Sequence, residues 1–215
     1  MKPTERSKVV RSPNRGHYDK DSLNKVLDDG YICHVAYDFK GSPIIIPTAY
    51  AREGDVVYVH GAIKNRMLNS MLEQKQATLS VTHLDGMVLA RSAFHHSFNY
   101  RSAVVFGSPF IVDQPEEKNR VLKLITDNIL EGRWEEVREP TEKELGVTLV
   151  IGIKIDEASV KIRQGIPMDD KEDYELPIWA GELPVTLAYQ SPITDDSGVK
   201  GLDVPDSVNN MLAKG

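Results

Sequence analysis

Between Tyr31 and His60, three runs rich in β-branched and aromatic residues follow one another: YICHVAY, PIIIPTAY and VVYVH. Only the turn segments around Asp38 to Ser42 and Arg52 to Asp55 separate them. Connections this short constrain the fold strongly. A parallel return needs a crossover of about a dozen residues, so these strands must be antiparallel neighbours. Pro47 cannot donate to a ladder, which places its strand at an edge or at a bulge. Backbone groups left free there, from Ile46 to Ala49, are available either to solvent or to a ligand.

The third run continues into Gly61, Ala62, Lys64 and Arg66, just where Met67, Leu68, Met71 and Leu72 announce a helix. A strand passing through a small-residue turn into a helix start leaves amide N–H groups without intrahelical partners. Such N–H groups, with two cations beside them, suit a phosphate. The plainer alternative is a surface turn carrying two solvated charges.

The remaining chain repeats the strand-and-turn theme. Residues 1–18 carry Lys2, Arg6, Lys8, Arg11 and Arg15 with little to bury, and read as an arm ordered only where something holds it. Asp19 or Asp21 can cap a helix with Leu23, Val26 and Leu27 on one face, and Gly30 fits a left-handed stop. ATLSVTHL and MVLARSAF flank Asp85-Gly86, a hairpin signal. YRSAVVFGSPFIV predicts a long strand with a bend or bulge at Gly107. Pro115 opens a helix faced by Val121, Leu122, Ile125 and Ile129, with Gly132 near its end. Thr141 with Glu144 forms a capping box. VTLVIGIKI and ASVKIRQ complete about seven strands, spaced as in a closed or nearly closed barrel, with a two-layer open sheet as the alternative. The expected organisation is an arm over 1–18, a barrel domain over 19–163 and an extended tail over 164–215. Trp179, Ile178 and Leu183 are expected to dock that tail on the barrel or on a partner subunit.

A net charge of −6 argues against a general nucleic-acid binder, which needs a basic face. Cys33 is the sole cysteine, so no intrachain disulfide or cysteine-based metal cluster can form, and burial as a small apolar residue is expected. No apolar run approaches the ~20 residues of a membrane helix, and the N-terminus lacks a secretory core. A soluble, cytoplasmic protein with no membrane or nucleic-acid partner is the expectation.

The densest polar cluster is His95, His96, Ser97, Asn99, Tyr100 and Arg101, at a junction between strands, where functional side chains tend to converge. Adjacent histidines on a strand point to opposite faces, and no HExxH, GxSxG or GxGxxG pattern occurs, so neither a structural metal nor a familiar nucleophile elbow is expected. His34 and His83 read as structural strand residues, whereas His60 directly precedes the candidate phosphate turn. Asp169-Asp170 and Asp195-Asp196 read as solvated loop charges.

Three blocks in this order, PIIIPTAY, VYVHGAIKNRML and DGMVLARSAFHHSFNYRSAVVFG, make the chain resemble the flavin-binding split-barrel superfamily over roughly Asp19 to Ile162. The similarity is greatest to the nitroimidazole-resistance-like branch related to pyridoxamine 5′-phosphate oxidase. That resemblance implies a six-stranded antiparallel Greek-key barrel with flanking helices, forming a homodimer with FMN sites at the interface. Ile46, Pro47, Thr48 and Ala49 would lie along the flavin ring. His60, Gly61 and Ala62, with Lys64 and Arg66, would hold the FMN phosphate. Ser97, Asn99, Tyr100 and Arg101 would face the ring or the substrate space, with His95 the candidate proton donor or substrate contact.

Asn65 separates the two cations that stand adjacent in the oxidase proper, and the oxidase's C-terminal substrate motif has no counterpart, so pyridoxamine phosphate oxidation is not expected. The implied activity is an FMN-dependent oxidoreductase acting on a small acceptor, nitroaromatic or quinone-like. A non-catalytic flavin-storage or sensing protein is the alternative. A third is a haem-binding split barrel, since the chain holds six histidines.

Overall fold

In the computed structural model, which describes residues 1–195 and 197–214, eight strands and five α-helices alternate along the chain. β1 spans Gly16–His17, β2 Ile32–Phe39, β3 Ser42–Glu53, β4 Val56–Ala62, β5 Ala77–Leu89, β6 Ser97–Val112, β7 Thr148–Arg163 and β8 Gly181–Pro184. All pairings are antiparallel. The order β7-β4-β3-β2-β5-β6 closes on itself because β6 also pairs with β7, so six strands form a ring. Short connections and closure together favour the barrel over an open two-layer sheet.

The barrel interior is apolar, as period-2 alternation requires. Val35, Tyr50, Val57, Val59, Leu79, Val105, Ile151 and Ile153 fill it. α1 (Lys20–Asp28) adds Leu23, Val26 and Leu27 to this core, and α2 (Arg66–Gln74) adds Met67, Leu68 and Met71. Asp19 caps α1 by accepting from the Ser22 amide at 2.7 Å. A second apolar cluster lies outside the ring, where Val121 and Ile125 of α3 (Pro115–Ile129) pack on Ala51, Tyr58, Val112 and Val150. α4 (Glu142–Val147) begins with the expected capping box of Thr141 and Glu144. Among the described residues, no helix is long and apolar enough to cross a membrane.

Two local expectations are corrected. Asp85-Gly86 does not turn the chain: β5 runs straight through it, and the extra residue is absorbed as a bulge against β6 between Leu84 and Gly86. The reversal comes later, at Ser92 to His96 around a 3-10 turn. Gly30 is not left-handed. Its lack of a side chain matters because a Cβ there would stand 2.5 Å from the Tyr50 hydroxyl and 2.9 Å from Val81 Cγ1. The tail lies on the barrel as expected, through β8, which contains Leu183 and pairs with β5, while Trp179 stays 69% exposed within one chain. α5 (Asp206–Lys214) is held where the Ser207 amide donates to Glu136 at 2.9 Å.

Gly107 does mark a bulge, opposite Ile155 on β7. The N-terminal arm is held on the barrel by Arg6, which pairs with Glu157 at 2.5 Å and lies 4.3 Å above the Phe106 ring. Cys33 is fully buried, which pushes its thiol up to about 12. Asp195 accepts from the Ser197 amide at 2.9 Å, and Asp196 lies outside the described residues.

Candidate functional site

β3 changes partner halfway along its length. Ser42 to Ala49 pair with β2, whereas Tyr50 to Glu53 pair with β4. β4 pairs with β3 only through Val59, and its last three residues, His60 to Ala62, pair with β7 alone. Ile46 to Ala49 and His60 to Ala62 thus leave the ladder where it would next have joined them. Among the described residues, each keeps one backbone edge without a strand partner. Pro47, which has no N–H, sits in this splayed segment opposite His34 on β2.

Beyond the split, Gly61 and Ala62 turn the chain into α2. The Asn65 side chain caps that helix, accepting from the Leu68 amide at 3.1 Å, while the Asn65 amide donates to the Ala62 carbonyl at 2.8 Å. A Cβ at Gly61 would lie 3.0 Å from Nδ2 of the Asn65 side chain, so a small residue lets the turn close. Lys64 and Arg66 border one cavity of about 560 Å³ with Lys40, Asp38 and Glu73, leaving a small positive excess. The Arg66 guanidinium is stacked 4.3 Å above the Phe39 ring and its Nε donates to the Tyr37 hydroxyl at 3.2 Å. One face is therefore fixed and the rest of the fork is free for an anion. His60 points to the outer side, bordering a separate cavity with Leu122 and Thr148. Its buried Nδ1 has no hydrogen-bond partner, and burial pulls the imidazole below its ordinary value.

The second group of expected residues lies elsewhere in the chain. His95, Ser97 and Tyr100 border a cavity of about 530 Å³ formed with Arg11, Arg15, Lys161 and Arg163. Asn99 turns inward and is 2% exposed, where it accepts from Arg163 and donates to the Gly165 carbonyl at 3.2 Å. Arg101 faces a fourth cavity and is engaged by Asp85 at 3.0 Å and by Asp29. Those contacts, Asp85 foremost, hold its guanidinium more firmly charged than usual. Within one chain the phosphate turn and the His95–Arg101 block are thus not one pocket. Sequence reasoning passed over Arg11, Arg15, Lys161 and Arg163, which only the pairing of Gly16 with Lys161 brings together. It also passed over Tyr37 and Phe39, which orient Arg66.

A closed six-stranded antiparallel ring with flanking helices, splayed between two neighbouring strands, defines the split-barrel class. Residues 19–162 match the family model for pyridoxamine 5′-phosphate oxidase, and the chain belongs to that family. Among curated proteins there is no significant match. Two solved structures are similar along nearly the whole chain. The flavocytochrome Anf3 from Azotobacter vinelandii is 34% identical, with 97% of each chain covered and a TM-score of 0.90. The FAD and haem binding protein from Mycobacterium smegmatis is 36% identical, with 92% of this chain and 97% of that one covered and a TM-score of 0.86. A candidate 5-nitroimidazole antibiotic resistance protein from Bacteroides thetaiotaomicron shares the fold alone, at 17% identity, 68% and 87% coverage and a TM-score of 0.58.

Proposed function

We propose that this protein is a flavin-dependent oxidoreductase whose cofactor lies in the split between β3 and β4. The observation that carries the reading is the juxtaposition at one end of the barrel: unladdered backbone at Ile46 to Ala49 opposite His60 to Ala62, followed by Lys64 and Arg66 on one cavity wall. Peptide N–H and C=O groups without strand partners suit the polar edge of a flat heterocycle, and paired cations suit its phosphate. Tyr37 and Phe39 hold Arg66 in place, and Asn65 fixes the turn. The bound flavin supplies the redox chemistry, while this chain's residues bind and orient it and exclude water.

The FAD and haem binding protein from Mycobacterium smegmatis favours FAD over FMN here, and that protein and the flavocytochrome Anf3 together favour haem as an accompanying group. The acceptor in this reading is a small molecule of nitroaromatic or quinone-like chemistry, and the protein works in the cytoplasm. It works as a homodimer: Ile32 is 55% exposed and Ile45 65% exposed on strands flanking the split, an apolar surface that a second copy would cover.

Protein purified without added flavin should absorb near 450 nm, as flavins do, and mass spectrometry of the released cofactor separates FAD from FMN. Anaerobic reduction by NADH or NADPH, followed by a panel of acceptors, tests turnover. Rates no higher than free flavin would leave a binding or sensing protein. Light scattering of the purified protein tests the dimer.

A further inference from the structure

Beneath the His95–His96 turn, positive charge outweighs negative, with Glu182 off the cavity wall as a carboxylate whose charge bears on Arg163. Arg11 and Arg15 come from the N-terminal segment and Lys161 and Arg163 from the end of β7, and among the described residues the walls of their shared cavity contain no carboxylate. Asp170 stands nearby, with its exposed carboxylate 3.3 Å from His95 Nε2 but without a hydrogen bond between them. Arg163 is only 6% exposed. It donates to the Asn99 side chain and to the carbonyls of Gly165, at 2.8 Å, and Ile166, while its buried Nε has no partner.

Carbonyl dipoles do not neutralise a full charge, and a buried guanidinium without a counterion is costly. Burial first, and then the like charge of Arg15, draws the Arg163 guanidinium below its ordinary value, and the charge of Glu182 offsets this only in part. The pairing of Gly16 with Lys161 pins Arg15 in this position, so the repulsion is built into the fold. An anion in the cavity would relieve it.

We propose that this cavity is a second binding site, taking the doubly anionic end of a small molecule between Arg11, Arg15, Lys161 and Arg163, with His95 and Tyr100 on its wall. Its volume of about 530 Å³ suits a small-molecule group. It is not the phosphate turn seen from another side. Ala62 pairs with the first residue of β7 and Arg163 is the last of its 16 residues, roughly 50 Å along a straight strand. Paired oxyanions of this kind come from two chemical sources, the diphosphate of a nucleotide or the two carboxylates of a porphyrin.

The test uses the full-length protein and two probes, inorganic pyrophosphate followed by titration calorimetry and haemin followed by its Soret band. At least one probe should bind, and the one that does identifies the source. Arg15→Ala and Lys161→Ala should each weaken that binding by about tenfold or more, because each removes a charge-assisted contact, and Arg15→Lys should restore much of it. In the Lys64→Ala, Arg66→Ala background, which removes the other proposed phosphate seat, the binding that remains should still fall with Arg15→Ala or Lys161→Ala. Both altered cavity residues are only half-buried, so the variants should melt close to the wild type; if one fails to fold, the other carries the comparison. Binding of neither probe, or binding indifferent to both cavity substitutions, would overturn the assignment.

Discussion

Replacing Lys64 and Arg66 together by alanine separates the proposed phosphate grip from the fold that presents it. In the folded chain Lys64 is exposed and makes no buried contact. Arg66 would lose its stacking on Phe39, worth about 0.5–1 kcal/mol, and one hydrogen bond to Tyr37, worth about 0.5–1.5 kcal/mol. The expected loss of folding stability is therefore about 1–2.5 kcal/mol, small against the roughly 5–15 kcal/mol typical of a domain. Two charge-assisted hydrogen bonds to a phosphate are worth at least about 1.5 kcal/mol each, so the double variant should release flavin roughly 100-fold more readily. Equilibrium dialysis with flavin fluorescence measures the second quantity, and urea unfolding followed by circular dichroism measures the first. Flavin affinity within threefold of wild type, or a collapse of stability that accounts for the lost binding, would refute the assignment of these two cations.

Other expectations follow from the packing and the charges. Gly107→Ala should destabilise by about 1–3 kcal/mol or more in chemical denaturation, because its Cβ would press into the Lys154 carbonyl at the bulge, where backbone cannot swing aside; an unchanged midpoint contradicts this. Glu144 is held at about 2 by Arg138 first and then by Thr141, below its ordinary 4.5. Its folded value being the lower, its contribution is complete above about 4.5 and disappears as pH falls toward 2. Glu144→Gln should therefore flatten that part of the acid-unfolding curve, and superimposable curves would count against it. Cys33 should resist thiol reagents at pH 9 until denaturant is added, since burial raises its thiol to about 12. As the unfolded thiol ionises first, stability should decline above pH 9; rapid modification of the native protein would show that the thiol is not enclosed.

Local features of this fold were legible where short-range chemistry decides them. Asp19 caps α1, Pro115 occupies the first turn of α3, and Thr141 with Glu144 reciprocate, because each depends on residues within one turn. The antiparallel ring followed from the short connections between β2, β3 and β4. Asp85-Gly86 misled because a bulge and a hairpin turn demand the same residue types; only the continuing ladder with β6 distinguishes them. Gly30 misled for a similar reason, since its cause is Tyr50, twenty residues away. Of the candidate site, the turn with Lys64 and Arg66 could be read from adjacent residues. The basic cavity could not, because Arg15 and Arg163 meet only through the short β1 strand, which carries almost no pattern of its own.

The central claim is that the splayed backbone near Pro47 and the cations after Ala62 together hold a flavin. Its most direct test is the flavin content of full-length protein purified without supplementation, measured as released flavin per chain. The account predicts close to one flavin per chain, falling sharply in the Lys64→Ala, Arg66→Ala variant. Colourless protein that also fails to take up added FAD or FMN would contradict it.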